Sequence, residues 1–224
     1  MRTLMIRGLM SKVFRRLVGG AVAATAVVGL VPAVAHAEWE LSPGDTITMA
    51  AGNNCSIGYF ASDSDGYYIV TAGHCTEHAN TEVTAGGESI GKVVAGYNEC
   101  PGGSCQRGRY GITIIQLYRG TGLTLNHWWT SAGDASRGDR VCISGAGERA
   151  TRCGTVDEST STLTNLVGAE AIAGDSGSGA WGGPDHKLVG LVISGGDGET
   201  QVQPISDAQA KARSLGYDLS ILVA

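Results

Sequence analysis

Two segments of this chain carry residues able to do chemistry together. Thr71-Ala72-Gly73-His74-Cys75 offers a histidine, and Gly174-Asp175-Ser176-Gly177-Ser178-Gly179 offers a serine among small neighbours. A serine hydroxyl is a poor nucleophile until a base takes its proton, and imidazole titrates close enough to neutrality to be that base. With His74 as base, Ser176 would then attack a carbonyl carbon. Glycines beside the serine let the backbone turn tightly enough to expose the hydroxyl. They also let the amides of Gly174 and Ser176 point together at the oxyanion that develops. Each segment alone has a plainer reading, as an ordinary turn or as a strand end with a structural histidine. Their joint occurrence in one β-rich chain favours the chemical one.

The elements that must position this pair are short strands. Glycine supplies 35 of 224 residues. β-rich runs (residues 66–71, 91–95, 112–117, 140–143 and 187–193) recur between clusters of Gly, Asn, Asp and Ser. Such spacing predicts an all-β barrel or sandwich rather than alternating strand–helix units. One helix is expected, with Ser206 as N-cap, residues 207–215 as its body and Gly216 as its end. Gly120, Gly122 and Gly133 mark a seam near residues 120–135, where two barrels would meet. Trp128-Trp129 fits a core between them, with an exposed aromatic patch as the alternative. His78, His127 and His186 lie in no partner pattern and read as surface or packing residues.

These motifs, in this order, resemble the bacterial branch of the chymotrypsin-like (trypsin-like) serine proteases, the streptogrisins and α-lytic protease. Cys55-Ser56-Ile57-Gly58-Tyr59 with Tyr68 to Cys75 is similar to that family's histidine region. Val141 to Gly145 with Arg152 to Val156 resembles its second disulfide loop, and Ser194-Gly195-Gly196 its substrate-lining segment. Val202-Gln203-Pro204-Ile205 before the last helix also resembles that branch. The resemblance implies two six-stranded antiparallel Greek-key β-barrels followed by a short C-terminal helix. The N-terminal barrel would cover about residues 38–122 and the C-terminal one about 123–224. It implies a secreted serine endopeptidase with His74 as base, Ser176 as nucleophile and Gly174 with Ser176 as oxyanion hole. The substrate would lie along Ser194, Gly195 and Gly196. Glu170 would sit either low in the primary pocket, attracting Lys or Arg, or on its rim. Of the six cysteines, it implies the pairs Cys55–Cys75 and Cys142–Cys153, leaving Cys100–Cys105 as a loop clip. No cofactor and no metal are expected.

The chain departs from the family where an acid should orient the histidine. Arg109-Tyr110-Gly111-Ile112 stands where the family has Asp-Tyr-Gly-Ile or a near variant. Neutralising that acid lowers turnover by ~10⁴ in the trypsin-type case, and a guanidinium turned toward His74 would also oppose the imidazolium. Glu99 in the same loop or Ser194 are substitutes to consider, whereas Asp175, beside the nucleophile, suits a buttress of the oxyanion loop. The family's cysteine before the nucleophile and its partner are missing, and residues 38–54 are too few for the folding segment that streptogrisin-type precursors carry. The alternatives to an endopeptidase are therefore an impaired, protease-like binding or scaffold protein and an ester hydrolase using the same pair.

Residues 1–37 read as a secretory signal peptide. Arg2, Arg7, Lys12, Arg15 and Arg16 precede an apolar stretch from Leu17 to Val34 broken by glycines and Pro32, and Ala35-His36-Ala37 fits the cleavage site. An uncleaved anchor is the alternative for a stretch of that length. The segment holds five of the 16 basic residues and none of the 21 acidic ones, so the remainder carries 11 against 21, a net charge of −10. That sign disfavours nucleic acid and anionic membranes as partners. The expected partner is a protein or peptide substrate, met outside the cell by a monomer.

Overall fold

The computed structural model describes residues 40–75, 78–99, 105–125, 128–147 and 150–224. The expected leader and its cleavage site, together with Cys100 and His127, lie outside the described residues. In chain order the strands are β1 (Glu40–Leu41), β2 (Thr46–Met49), β3 (Asn54–Ser56), β4 (Tyr59–Ser62), β5 (Tyr67–Ala72), β6 (Glu82–Ala85), β7 (Glu88–Tyr97), β8 (Ile112–Leu117) and β9 (Gly122–Leu123). They continue as β10 (Ser131–Ala132), β11 (Arg140–Ile143), β12 (Arg152–Ser159), β13 (Thr164–Val167), β14 (Gly179–Gly182), β15 (Lys187–Gly196) and β16 (Glu199–Pro204). Helix α1 (Ile205–Ser214) and strand β17 (Ser220–Ile221) end the chain.

Two sheets hold nearly all of these strands. The first has the order β17-β4-β5-β8-β7-β6-β2-β3, and the second β10-β15-β14-β11-β12-β13-β16. In the second, β16 returns to pair with β15, which closes a six-stranded antiparallel barrel. The first sheet curls without such a closing pair among the described residues, so the double barrel consists of one closed barrel and one curled half-barrel. The chain's last strand crosses back to the first sheet, Ser220 opposite Ser62.

Alternation explains the layers. β2 reads half-buried, buried, half-buried, buried, so one face is wet and the other packs inward. β8 is buried at five of its six positions because it runs in the middle of its sheet between β5 and β7. One core, with Ile69, Ile114, Ile115 and Tyr59, fills the first sheet and reaches Trp129, Trp181 and Leu188. A second, with Val141, Ile143, Leu166 and Val189, fills the closed barrel. Trp128 stacks on Trp181 at 4.5 Å between ring centroids, and Trp129 is buried beside them. His78 and His186 lie exposed at the surface.

The helix starts earlier than its sequence predicts. Pro204 occupies the N-cap position and Ser206 is already helical. The capping role passes to Asp134 from the inter-barrel segment, whose carboxylate accepts from both the amide (3.0 Å) and the hydroxyl (2.6 Å) of Ser206. A carboxylate at a helix N-terminus satisfies an orphan donor and opposes the dipole, so a remote acid replaces the local serine. The far end is as expected, with Gly216 in the left-handed region (φ +90°) just after the last turn.

Candidate active site

His74 sits on a single 3₁₀ turn, Gly73–Cys75, that ends β5. The turn is held from three sides. The Gly73 amide donates to the Gly111 carbonyl at 2.9 Å. A Cβ on Gly73 would lie 2.4 Å from the Tyr97 carbonyl oxygen, and one on Gly111 only 1.7 Å from the same atom, so both positions require glycine. The Cys55–Cys75 disulfide, Cα to Cα 6.1 Å, ties the turn to β3, and the buried Thr71 hydroxyl donates to the Ser56 carbonyl at 2.9 Å.

Ser176 comes from the second sheet's side, on the loop that leads into β14. Gly174 (φ +97°) and Gly177 (φ +85°) flank it in a backbone region open to glycine. The Gly177 amide donates to Val192 at 2.7 Å, and the Ser56 amide donates across the seam to the Ser176 carbonyl at 2.8 Å. The Ser56 hydroxyl donates to the Gly174 carbonyl and accepts from the Ala146 amide. Among the described residues the amides of Gly174 and Ser176 donate to no protein acceptor, as a pair aimed at an oxyanion requires.

Asp175 is fully buried beneath this loop. Its carboxylate accepts from the amides of Gly147 (3.1 Å) and Ile172 (2.9 Å) and pairs with the Arg152 guanidinium. Arg152 also donates to the Glu170 carbonyl at 2.9 Å. Asp175 thus braces the loop, as its position beside the serine predicts, while Arg152 and Ser56 are supports that the sequence reading missed. No local pattern marks either one; their partners come from other strands.

His74 and Ser176 line one cleft of about 270 Å³. Its other walls are residues 171–173 and 192–195, together with Cys105. A β-bulge between Val192 and Ser194 leaves Ile193 without a partner in β16 and turns this wall toward the cleft. Gly195 packs so closely that a Cβ would lie 2.0 Å from the Ala171 carbonyl. Gly196 lies outside the cleft, in an adjoining cavity of about 340 Å³ shared with Ser194 and Gly195 and lined by Asp197 and Glu199. Glu170 is exposed and is not among the residues lining the cleft.

The acid position is the notable part. Arg109 is exposed at the surface, near Tyr97, whose phenol pKa is raised chiefly by its bond to Glu99, with the Arg109 charge opposing the shift. Glu99 is occupied elsewhere, accepting from the Tyr97 hydroxyl at 3.0 Å and facing Lys211 of α1 at 3.8 Å. Among the described residues no carboxylate lies within hydrogen-bonding distance of His74, and no hydrogen bond joins it to Ser194. Its Nδ1 instead faces the sulfur of Cys105 at 3.9 Å. Burial lowers the His74 pKa below its usual value, and among the described residues no neighbouring anion offsets the effect. Of the expected disulfides, Cys55–Cys75 and Cys142–Cys153 are formed. Cys105 is also disulfide-bonded, and its expected partner Cys100 lies outside the described residues. The one cluster of metal-ligand types among the described residues, Cys55, His74 and Cys75, has both sulfurs committed to a disulfide.

Fold and site together define a chymotrypsin-like double barrel with a histidine and a serine facing one inter-barrel cleft. The chain is a homologue of bacterial trypsin-like serine proteases. It is 31% identical over 195 residues to streptogrisin-D of Streptomyces griseus, an alignment covering 76% of this chain and 46% of that protein. The chain therefore spans about half of that relative's length. No family model matches the chain. In structure it is similar to Thermobifida fusca protease A (TM-score 0.65, 24% identity, 83% of this chain and 100% of that one). The Nocardiopsis protease is another neighbour (TM-score 0.62, 22% identity, 82% and 99%). Among the described residues no helix is long and apolar enough to cross a membrane.

Proposed function

We propose that this chain is an exported serine endopeptidase working with a dyad rather than a triad. The Ser176 hydroxyl attacks the scissile carbonyl while His74 takes its proton. The amides of Gly174 and Ser176 hold the oxyanion, and His74 returns the proton to the leaving amine. The substrate backbone lies along Ser194, Gly195 and Gly196. The observation that carries this reading is the meeting of His74 and Ser176 on one cleft beside two amides that have no protein acceptor among the described residues. Without a carboxylate at the imidazole, turnover falls by ~10⁴ relative to a full triad, yet ~10³ or more over water remains from the oxyanion hole and binding.

The cleft also narrows the substrate. Its walls at residues 171–173 and 192–195 carry no ionisable side chain, and the contact of Gly195 with Ala171 makes it shallow. Small uncharged side chains before the scissile bond fit it better than Lys or Arg. A second reading, a binding or scaffold protein that keeps the fold without turnover, is favoured by the missing carboxylate at His74. Digestion of a peptide library separates the two. The dyad reading expects slow cleavage after small uncharged residues that disappears in Ser176→Ala. Equal products from both proteins, or none from either, would leave the scaffold reading standing.

A further inference from the structure

The family resemblance leaves Cys105 as half of a loop clip, yet the fold brings its sulfur to the cleft that holds His74 and Ser176. Cys105 lines the same cavity as His74 and Ser176, and its Sγ is 3.9 Å from Nδ1 of His74. In a serine–histidine dyad, one imidazole nitrogen must accept the serine proton. The other must then carry hydrogen and find an acceptor. A disulfide sulfur has no proton to give, so toward Nδ1 it can only accept, and only weakly.

We propose that Cys105 is the positioning residue of His74, its sulfur standing at Nδ1 where other members of this fold place a carboxylate. This rests on the reading of His74 as the base of a serine protease. Held this way, the neutral ring carries its hydrogen on Nδ1 and presents the Nε2 lone pair for the serine proton. The contact orients the ring but supplies no negative charge for the imidazolium. Among the described residues no other group near the cleft supplies it. Arg109 is out at Tyr97, Glu99 is engaged by Tyr97 and Lys211, Asp175 is paired with Arg152, and the Cys55–Cys75 disulfide is uncharged. The acid's place is thus filled, by a soft neutral atom rather than by the arginine that replaces the acid in the sequence.

The test compares Cys105→Ala with Cys105→Asp, each in a Cys100→Ala background that leaves no unpaired thiol. His74 is followed by NMR titration and Ser176 by its rate of labelling with a fluorophosphonate. A carboxylate at position 105 should raise the His74 pKa by about one pH unit or more over the alanine variant and speed labelling at least about tenfold. Equal pKa values in the two variants would overturn the assignment. If His74 responds and Ser176 labels in no form, the contact stands and the protease reading fails. Imidazole ¹⁵N shifts of the unaltered protein give an answer that needs no variant to fold. Hydrogen on Nδ1 supports the contact, and hydrogen on Nε2 with a bare Nδ1 contradicts it.

Discussion

A histidine that faces sulfur instead of a carboxylate still accepts a proton, but among the described residues no anion stabilises the cation it becomes. Burial favours the neutral ring, which is the form a base needs. Activity should therefore rise with pH through a pKa below the ordinary histidine value of about 6.5 and stay flat above it. Stability follows the same sign. The unfolded chain binds a proton at His74 more readily than the folded one, so stability is lost as pH falls from about 6.5 through the lower folded pKa. A pH–rate profile of probe labelling and a pH series of denaturant melts check the two arms. Arg109 makes the opposite kind of prediction. Because its side chain sits at the surface near Tyr97, Arg109→Ala should leave the labelling rate within about threefold, and a gain of about a hundredfold would mean that the guanidinium had been opposing the imidazolium. His74 and Ser176 were legible in sequence because each lies in a run of small residues that only a tight backbone needs. Cys105, Arg152 and Ser56 were not, because each acts on a partner on another segment of the fold, beyond any local pattern.

At the scale of elements, the site depends on two turns braced by buried contacts. The loop carrying Gly174 and Ser176 rests on Asp175, whose carboxylate holds two amides and the Arg152 guanidinium. Asp175→Ala strips a mostly buried guanidinium of its partner and frees both amides, and should cost about 3 kcal/mol or more in denaturant unfolding. A loss under about 1 kcal/mol would mean that water replaces the carboxylate. β8 coincides with its expected run, residues 112–117, because a central strand buried on both faces reads as a nearly continuous β-branched stretch. β11 coincides with residues 140–143 as an alternating strand with Val141 and Ile143 turned inward. β3, β13 and β14 were harder to see. Asn54-Cys55-Ser56, Thr164 to Val167 and Gly179 to Gly182 are short and rich in polar or glycine residues. Sheet pairing rather than local preference makes them strands. The helix start moved for a similar reason, since Asp134 reaches it from 72 residues away.

At the scale of the molecule, the seam between the sheets is where chemistry and packing coincide. Trp129, Trp181 and Leu188 extend the first sheet's core into the closed barrel, and Gly179 packs against the Trp129 ring. Removing that ring opens a cavity at the junction. Trp129→Ala should cost about 3–5 kcal/mol and slow labelling of Ser176 in parallel, because β14 follows Ser176 directly. Calorimetry would show one cooperative transition shifted down. Two separated transitions would mean that the barrels fold independently of this contact. Strand spacing made an all-β barrel or sandwich legible, and the double barrel was what the family resemblance implied. The missing closure of the first sheet was not, because closure depends on which edges meet in space.

The central claim is that Ser176 is an activated nucleophile despite the absence of a carboxylate at His74. The most direct test is to incubate the protein, freed of residues 1–37, with a fluorophosphonate across pH 6 to 10 and locate the adduct by mass spectrometry. The account predicts a single adduct on Ser176, formed slowly, lost in Ser176→Ala and strongly reduced in His74→Ala. No adduct at any pH, or one that forms equally fast without His74, would contradict it.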